Sequence, residues 1–148
     1  VILSWYLRKR GEVISLERSR PLYEVGKEGL AALSGQDGEM TEALRRIQLL
    51  HADFRGFLET AAPNSFDVIY FDPMFRYPVK RKENSMEGFR SAAVYDPLTE
   101  DVLQFAMRAA RKKVIVKERP FSALFRTGLF TEIHGKRGQT TAYGVIKL

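Results

Sequence analysis

Four consecutive residues, Asp72-Pro73-Met74-Phe75, carry the most chemistry in this chain. They follow Phe66–Phe71, an apolar run that reads as a β-strand. Proline cannot donate to a ladder, so the strand stops there. The turn then presents a carboxylate, a proline-adjacent carbonyl and an aromatic ring side by side. An exocyclic amine on a nucleobase needs such a reception, because its lone pair is delocalised into the ring and is a poor nucleophile. Two acceptors that grip its hydrogens draw the nitrogen towards tetrahedral geometry and localise the lone pair. Phe75 can stack on the base, an interaction worth ~1–3 kcal/mol. Asp72, Pro73 and Phe75 are therefore candidate catalytic residues. A plain turn with a buried phenylalanine has the same letters.

Arg76, Lys80, Arg81 and Lys82 come next, interleaved with Tyr77. Basic residues with an aromatic among them can grip phosphates and a base; a solvated loop is the alternative. Lys117 and Arg119, at the end of a later strand, extend the same patch. Two further acids close strands. Glu17 can accept from both hydroxyls of a ribose, or can serve the dipole of the helix that follows. Arg18 stands beside it. Asp53 can accept from an adenine amino group, with Phe54 as an apolar wall, or can cap a helix. The two histidines, His51 and His134, have no acid and nucleophile at a recognisable spacing. His51 reads as a satisfied core residue. No P-loop exists, and no two glycines stand at G-x-G spacing.

These residues need elements to hold them. Val1–Leu7 is mainly apolar and precedes Arg8-Lys9-Arg10 and Gly11, a helix C-terminal pattern. It reads as the tail of a helix in an N-terminally truncated fragment, or as a short native helix. Its charges follow the apolar part, unlike those of a signal peptide. Residues 12–17 form a strand. Ser19 caps a helix with Pro21 in its first turn, carrying Leu22, Val25, Leu30 and Leu33 and ending near Gly35. Asp37-Gly38 is a turn, residues 41–46 a short helix, 47–52 a strand and 54–60 a short helix. The run 66–71 suits a central parallel strand buried on both faces. A helix covers 96–111 and a strand 113–117. Two final strands, 129–134 and 140–148, form an antiparallel hairpin. Alternating strands and helices predict an α/β fold, a mostly parallel sheet with a C-terminal antiparallel hairpin. Residues 1–148 read as a single domain with no visible linker.

The chain has 148 residues, a length that suits one domain. With 45% hydrophobic and 28% charged residues it excludes long disorder and collagen-like repeats. No apolar run approaches the ~18–20 residues that span a bilayer. With no cysteine there is no disulfide, thiolate metal site or cysteine nucleophile, and no metal site is expected. A net charge of +6 points towards a polyanionic partner, of which nucleic acid is the commonest.

In order, Val13-Ile14-Ser15-Leu16-Glu17-Arg18, His51-Ala52-Asp53-Phe54, Asp72-Pro73-Met74-Phe75 and Val114-Ile115-Val116-Lys117 resemble a class I S-adenosylmethionine-dependent methyltransferase, with its Rossmann-like sheet. The nearest resemblance is to the family that methylates the N2 amine of a guanosine in bacterial small-subunit ribosomal RNA. It covers Gly11 to about Arg119. The resemblance implies S-adenosyl-L-methionine as cofactor, bound by Glu17, Arg18, Asp53, Phe54 and Asp72. It implies that Asp72 lies between cofactor and target amine, that Phe75 stacks on the base, and that RNA is the substrate, met by Arg76, Lys80, Arg81, Lys82 and Lys117. The absence of a targeting signal, together with this cofactor, points to a cytoplasmic place. The glycine-rich loop after the family's first strand, and that strand itself, are not found in the sequence. Met74 stands where many amine methyltransferases have a second proline, as in the rRNA family.

Three other readings stay open. One is a methyltransferase-like fold that docks RNA without catalysis. Another is a small-molecule methyltransferase, which would not need the basic loop. The third is a nicotinamide-dependent enzyme, in which the Asp72 turn has no role.

Overall fold

The computed structural model describes residues 1–33, 38–73, 97–135 and 138–148. These fall into two compact units, residues 1–54 and residues 55–73 with 97–148.

The first unit opens with α1, Ile2–Leu7, followed by a 3-10 turn over Arg8–Arg10. The expected helix is present, but its end is made differently. Gly11 is extended at φ −178°, a conformation open to any residue, and the left-handed turn falls on Arg8 at φ 52°. Ser4 is fully buried and its Oγ donates to the Ala43 carbonyl at 2.5 Å, tying α1 to α3 (Glu39–Arg45). Strands β1 (Val13–Glu17) and β2 (Ile47–His51) pair in parallel, with Glu17 opposite His51. Helix α2 (Arg20–Leu33) begins as expected, with Leu22 N–H donating to Ser19 Oγ at 3.5 Å. Its packing face is the expected one only in part: Leu22 and Leu30 are half-buried together with Tyr23 and Gly26, while Val25 and Leu33 are exposed. Gly26 sets this face, since a Cβ there would meet the Leu49 side chain of β2 at 3.0 Å.

The second unit contains α4 (Phe54–Thr60), of which Phe54 belongs to the first, then β3 (Phe66–Phe71), α5 (Glu100–Ala109), β4 (Ala110–Glu118), a 3-10 turn at Ala123–Arg126, β5 (Glu132–His134) and β6 (Ala142–Lys147). Its sheet has the order β3-β4-β6-β5, with β3 and β4 parallel and the C-terminal hairpin antiparallel. The α/β character, the partly parallel sheet and the terminal hairpin agree with the sequence reading. The place of β3 does not. Among the described residues it pairs with β4 alone, as an edge strand with Val68 exposed. An apolar run reports the burial of faces, not the pairing of edges, so it could not distinguish the two. The inner strands are β4 and β6, and on β4 Val114 and Val116 are fully buried. Helix α5 is shorter than expected at both ends. It stops at Ala109 because Ala110 already pairs with Phe66 in the sheet, and an irregularity between Phe66 and Val68 absorbs an extra residue of β4. The first hairpin strand is likewise shorter than 129–134.

The core of this unit is α5 against the sheet: Val102, Leu103, Ala106 and Ala109 face Val114, Val116, Ala142 and Ile146. On β6 burial alternates, with Ala142, Gly144 and Ile146 inside, the period of two that a strand demands. Gly144 is the tight point, because a Cβ there would lie 2.4 Å from the Phe130 ring and 2.6 Å from Phe125. Arg108 closes α4 by donating to the carbonyls of Leu58, Glu59 and Ala61 at 3.0, 2.7 and 3.3 Å.

Candidate functional site

In the first unit, the candidate residues gather at the carboxyl end of the β1–β2 pair. Glu17 is the last residue of β1, and Asp53 follows β2 by two positions. The Glu17 main-chain carbonyl accepts from Ala52 N–H at 3.2 Å, which holds the two strand ends together. Glu17 Oε1 accepts from the Ser19 amide at 2.7 Å. Its carboxylate therefore helps to start α2, the structural role that the sequence left open, and Oε2 has no hydrogen bond among the described residues. Arg18 Nη1 lies 3.5 Å from Asp53 Oδ2, so these two candidates meet across the strand ends. Phe54 begins α4 immediately after Asp53.

His51 departs from expectation. It is satisfied, with Nε2 3.0 Å from the Arg18 carbonyl, but it is exposed at the end of β2 rather than in the core. Its ring stacks on Tyr23, with centroids 5.2 Å apart. The period of two puts it on the face of Ile47 and Leu49, and its exposure comes from its place at the open end of the strand.

In the second unit, Asp72 follows the last residue of β3, at the carboxyl end of the strand. The sequence reading puts Lys117 in a phosphate-gripping patch; the structure pairs it with Asp72, its Nζ 2.8 Å from Oδ1 and 3.0 Å from Oδ2. Parallel register explains the meeting, since Phe71 lies opposite Val116 and each strand's next residue falls at the same edge. Tyr70 adds a hydroxyl that donates to Asp72 Oδ2 at 3.5 Å. Burial, followed by the charges of Asp72 and of Tyr143, pushes the Tyr70 phenol up to about 12, so it keeps its proton at any physiological pH. Tyr143 lies opposite Lys117 on β6. A carboxylate offers about four lone-pair positions. Lys117 and Tyr70 occupy most of them, and capacity for about one further N–H donor remains.

Sequence reasoning missed Tyr70 and Tyr143. Tyr70 has a legible signal, standing two residues before Asp72 and thus on the same face of the strand. Tyr143 has none, because its place depends on the β4–β6 register. Phe121 was also missed; it is 92% exposed in the segment after β4, next to Pro120 and Arg119. Pro73 is half-buried beside Asp72. Phe75, Arg76, Lys80, Arg81 and Lys82 lie outside the described residues. No group of three or more potential metal ligands occurs among the described residues.

The family model described as "Putative SAM-dependent methyltransferase" matches residues 11–140. The chain belongs to this family. An "Uncharacterized protein YpiP" of Bacillus subtilis is 31% identical over 147 residues, 99% of this chain and 56% of the relative. A "Ribosomal RNA small subunit methyltransferase J" of Cellvibrio japonicus is 31% identical over 144 residues, 90% of this chain and 53% of the relative. The chain thus spans about half the length of the curated relatives it matches. The crystal structure of the SAM-dependent methyltransferase NGO1261 from Neisseria gonorrhoeae shares the fold, with a TM-score of 0.60 at 18% identity, covering 91% of this chain and 52% of that one.

S-adenosylmethionine is the cofactor that this family and fold imply. The donor set of the first unit fits it: carboxylates at two adjacent strand ends are the acceptors that ribose hydroxyls and an adenine amino group require. The resemblance drawn from sequence is to this same methyltransferase family.

Proposed function

We propose that the protein containing this chain transfers a methyl group from S-adenosylmethionine to an exocyclic amine of a base in RNA, of the small-subunit rRNA guanine-N2 type. The observation that carries this reading is Asp72. Its carboxylate stands at a strand end, held by Lys117 and Tyr70, with capacity for one more donor. The names of the rRNA methyltransferase relatives and the net charge of +6 support RNA as the substrate. Residues 1–148 act as one domain in this reading, in the cytoplasm. No helix among the described residues is long and apolar enough to cross a membrane.

Glu17 would hold the cofactor's ribose, with Arg18 beside it, and Asp53 and Phe54 its adenine end. When bound, the cofactor supplies an electrophilic methyl group on a sulfonium. Asp72 accepts from the amine N–H of the target base and makes its lone pair available, the positioning that such a transfer needs. Lys117 keeps the carboxylate oriented through two short contacts, and Tyr70, as a proton donor only, fixes the far oxygen. Pro73 presents its neighbouring carbonyl as the second acceptor, Phe75 stacks on the base, and Arg76, Lys80, Arg81 and Lys82 take RNA phosphates.

The test is methyl transfer from radiolabelled S-adenosylmethionine to unmodified small-subunit rRNA, by the protein and by its Asp72→Ala variant. The variant is expected to keep its melting temperature and to lose transfer. Turnover retained in Asp72→Ala would sink the reading. Activity that survives charge reversal at Lys80 and Arg81, on a small amine in place of RNA, would favour a small-molecule substrate.

A further inference from the structure

The first unit holds a second cleft, of about 530 Å³, lined by Trp5, Arg8, Arg10, Glu39, Glu42 and Arg46. It belongs to the opposite end of the β1–β2 pair from Glu17 and Asp53. Arg10 comes just before β1, and Arg46 immediately precedes β2. Five-residue strands place the two ends about 15 Å apart. The cleft therefore takes no part in the site already described.

Its lining is built for an anion with a flat ring. Arg8 and Arg10 are exposed, and neither forms an ion pair or side-chain hydrogen bond among the described residues. Arg46 reaches the Ser4 carbonyl through Nη2 at 3.1 Å, while its Nε is buried and has no hydrogen-bond partner among the described residues. Of the two acids, Glu42 is paired with Arg45 at 2.7 Å. Trp5 is 38% exposed and forms a T-shaped pair with Tyr6, with centroids 5.0 Å apart, so part of its indole is open to a ligand. Arg8 stands at φ 52°, a backbone that disfavours every residue except glycine, and it lines the cleft nevertheless.

We infer that this cleft docks a single-stranded segment of RNA, with phosphates on Arg8, Arg10 and Arg46 and a base stacked on Trp5. Arginine pairs with phosphate oxygens through parallel N–H donors, and aromatic stacking holds bases without regard to sequence. The inference deepens the reading of RNA as substrate and rests on it. A strand held here would contribute affinity and not chemistry. The same chemistry would accept a free nucleotide, so the test separates the two sources.

Trp5 is the sole tryptophan of the chain, which makes it a site-specific reporter. The protein is titrated with a short fluorescein-labelled oligouridylate, following label anisotropy, and with the unlabelled oligomer and uridine monophosphate, following tryptophan emission. The expected result is quenching of Trp5 by the oligomer, at concentrations where the mononucleotide gives little. The variant Arg8→Gly with Arg10→Gln should bind about tenfold or more weakly, and its log affinity should fall less steeply with log salt, by about two fewer phosphate contacts. Arg8→Gly suits its backbone angle, so the variant is expected to fold; circular dichroism and melting confirm that it has. Unchanged affinity in the folded variant overturns the docking site while leaving the RNA reading intact, which the Asp72→Ala transfer assay tests separately. Quenching by uridine monophosphate as tight as by the oligomer also overturns it. Absence of both anisotropy change and quenching overturns the docking site, and methyl transfer to rRNA then decides the RNA reading by itself.

Discussion

Lys117 Nζ lies within hydrogen-bond reach of both Asp72 carboxylate oxygens. Both side chains are partly exposed, and such pairs contribute only ~0–1 kcal/mol. Lys117→Met is therefore expected to melt within about 1 kcal/mol of the parent. The same change frees the Asp72 carboxylate to rotate, and methyl transfer should fall by about tenfold as positioning is lost. Thermal melting beside a transfer assay separates the two effects, and a large loss of stability with full turnover would contradict them. Tyr70 offers a second check. Its phenol is held up to about 12, chiefly by burial. A tyrosine raised above its unfolded value near 10 contributes stability that is complete below pH 10 and is lost as pH rises towards 12. In an absorbance titration of the six tyrosines, one should ionise late, and Tyr70→Phe should remove that late step.

Among elements, the C-terminal hairpin depends on one absent side chain. Gly144 lies on β6 opposite Val116 of β4, and the rings of Phe125 and Phe130 fill the space where a Cβ would be. Its φ is not left-handed, so the requirement is for space alone. Gly144→Ala forces two packed rings to move, an overpacking worth about 1–3 kcal/mol, which urea unfolding would measure. A stability unchanged within error would mean that the rings relax freely. Helix α4 has a comparable dependence on a distant residue, since Arg108 of α5 closes two of its carbonyls and that of Ala61 just beyond it. The elements themselves were largely legible. Strands β1, β2 and β3 and helix α4 appear within a residue of their expected bounds, because apolar period, proline and capping residues are local signals. The boundary between α5 and β4 was not legible. Residues 110 and 111 continue the helical pattern, and only pairing with β3 draws them into the sheet.

For the whole molecule, charge decides how a polyanion is met. A net +6 on 148 residues favours RNA through counterion release. Binding of rRNA by this protein should weaken several orders of magnitude between low and moderate salt if six or more phosphates are contacted. A filter-binding series over salt concentration reads this directly, and a flat response would remove RNA as the partner. The sequence by itself determined the α/β class, the three acids Glu17, Asp53 and Asp72 at strand ends, and the family, since period, chain order and strand termini are properties of neighbouring residues. The tertiary structure alone decided that Lys117 holds Asp72 across 45 positions, that His51 is exposed, and that Trp5, Arg8, Arg10 and Arg46 line one cleft. These depend on strand register and on how helices lie against strands, and a one-residue slip of β3 against β4 would turn Lys117 away from Asp72.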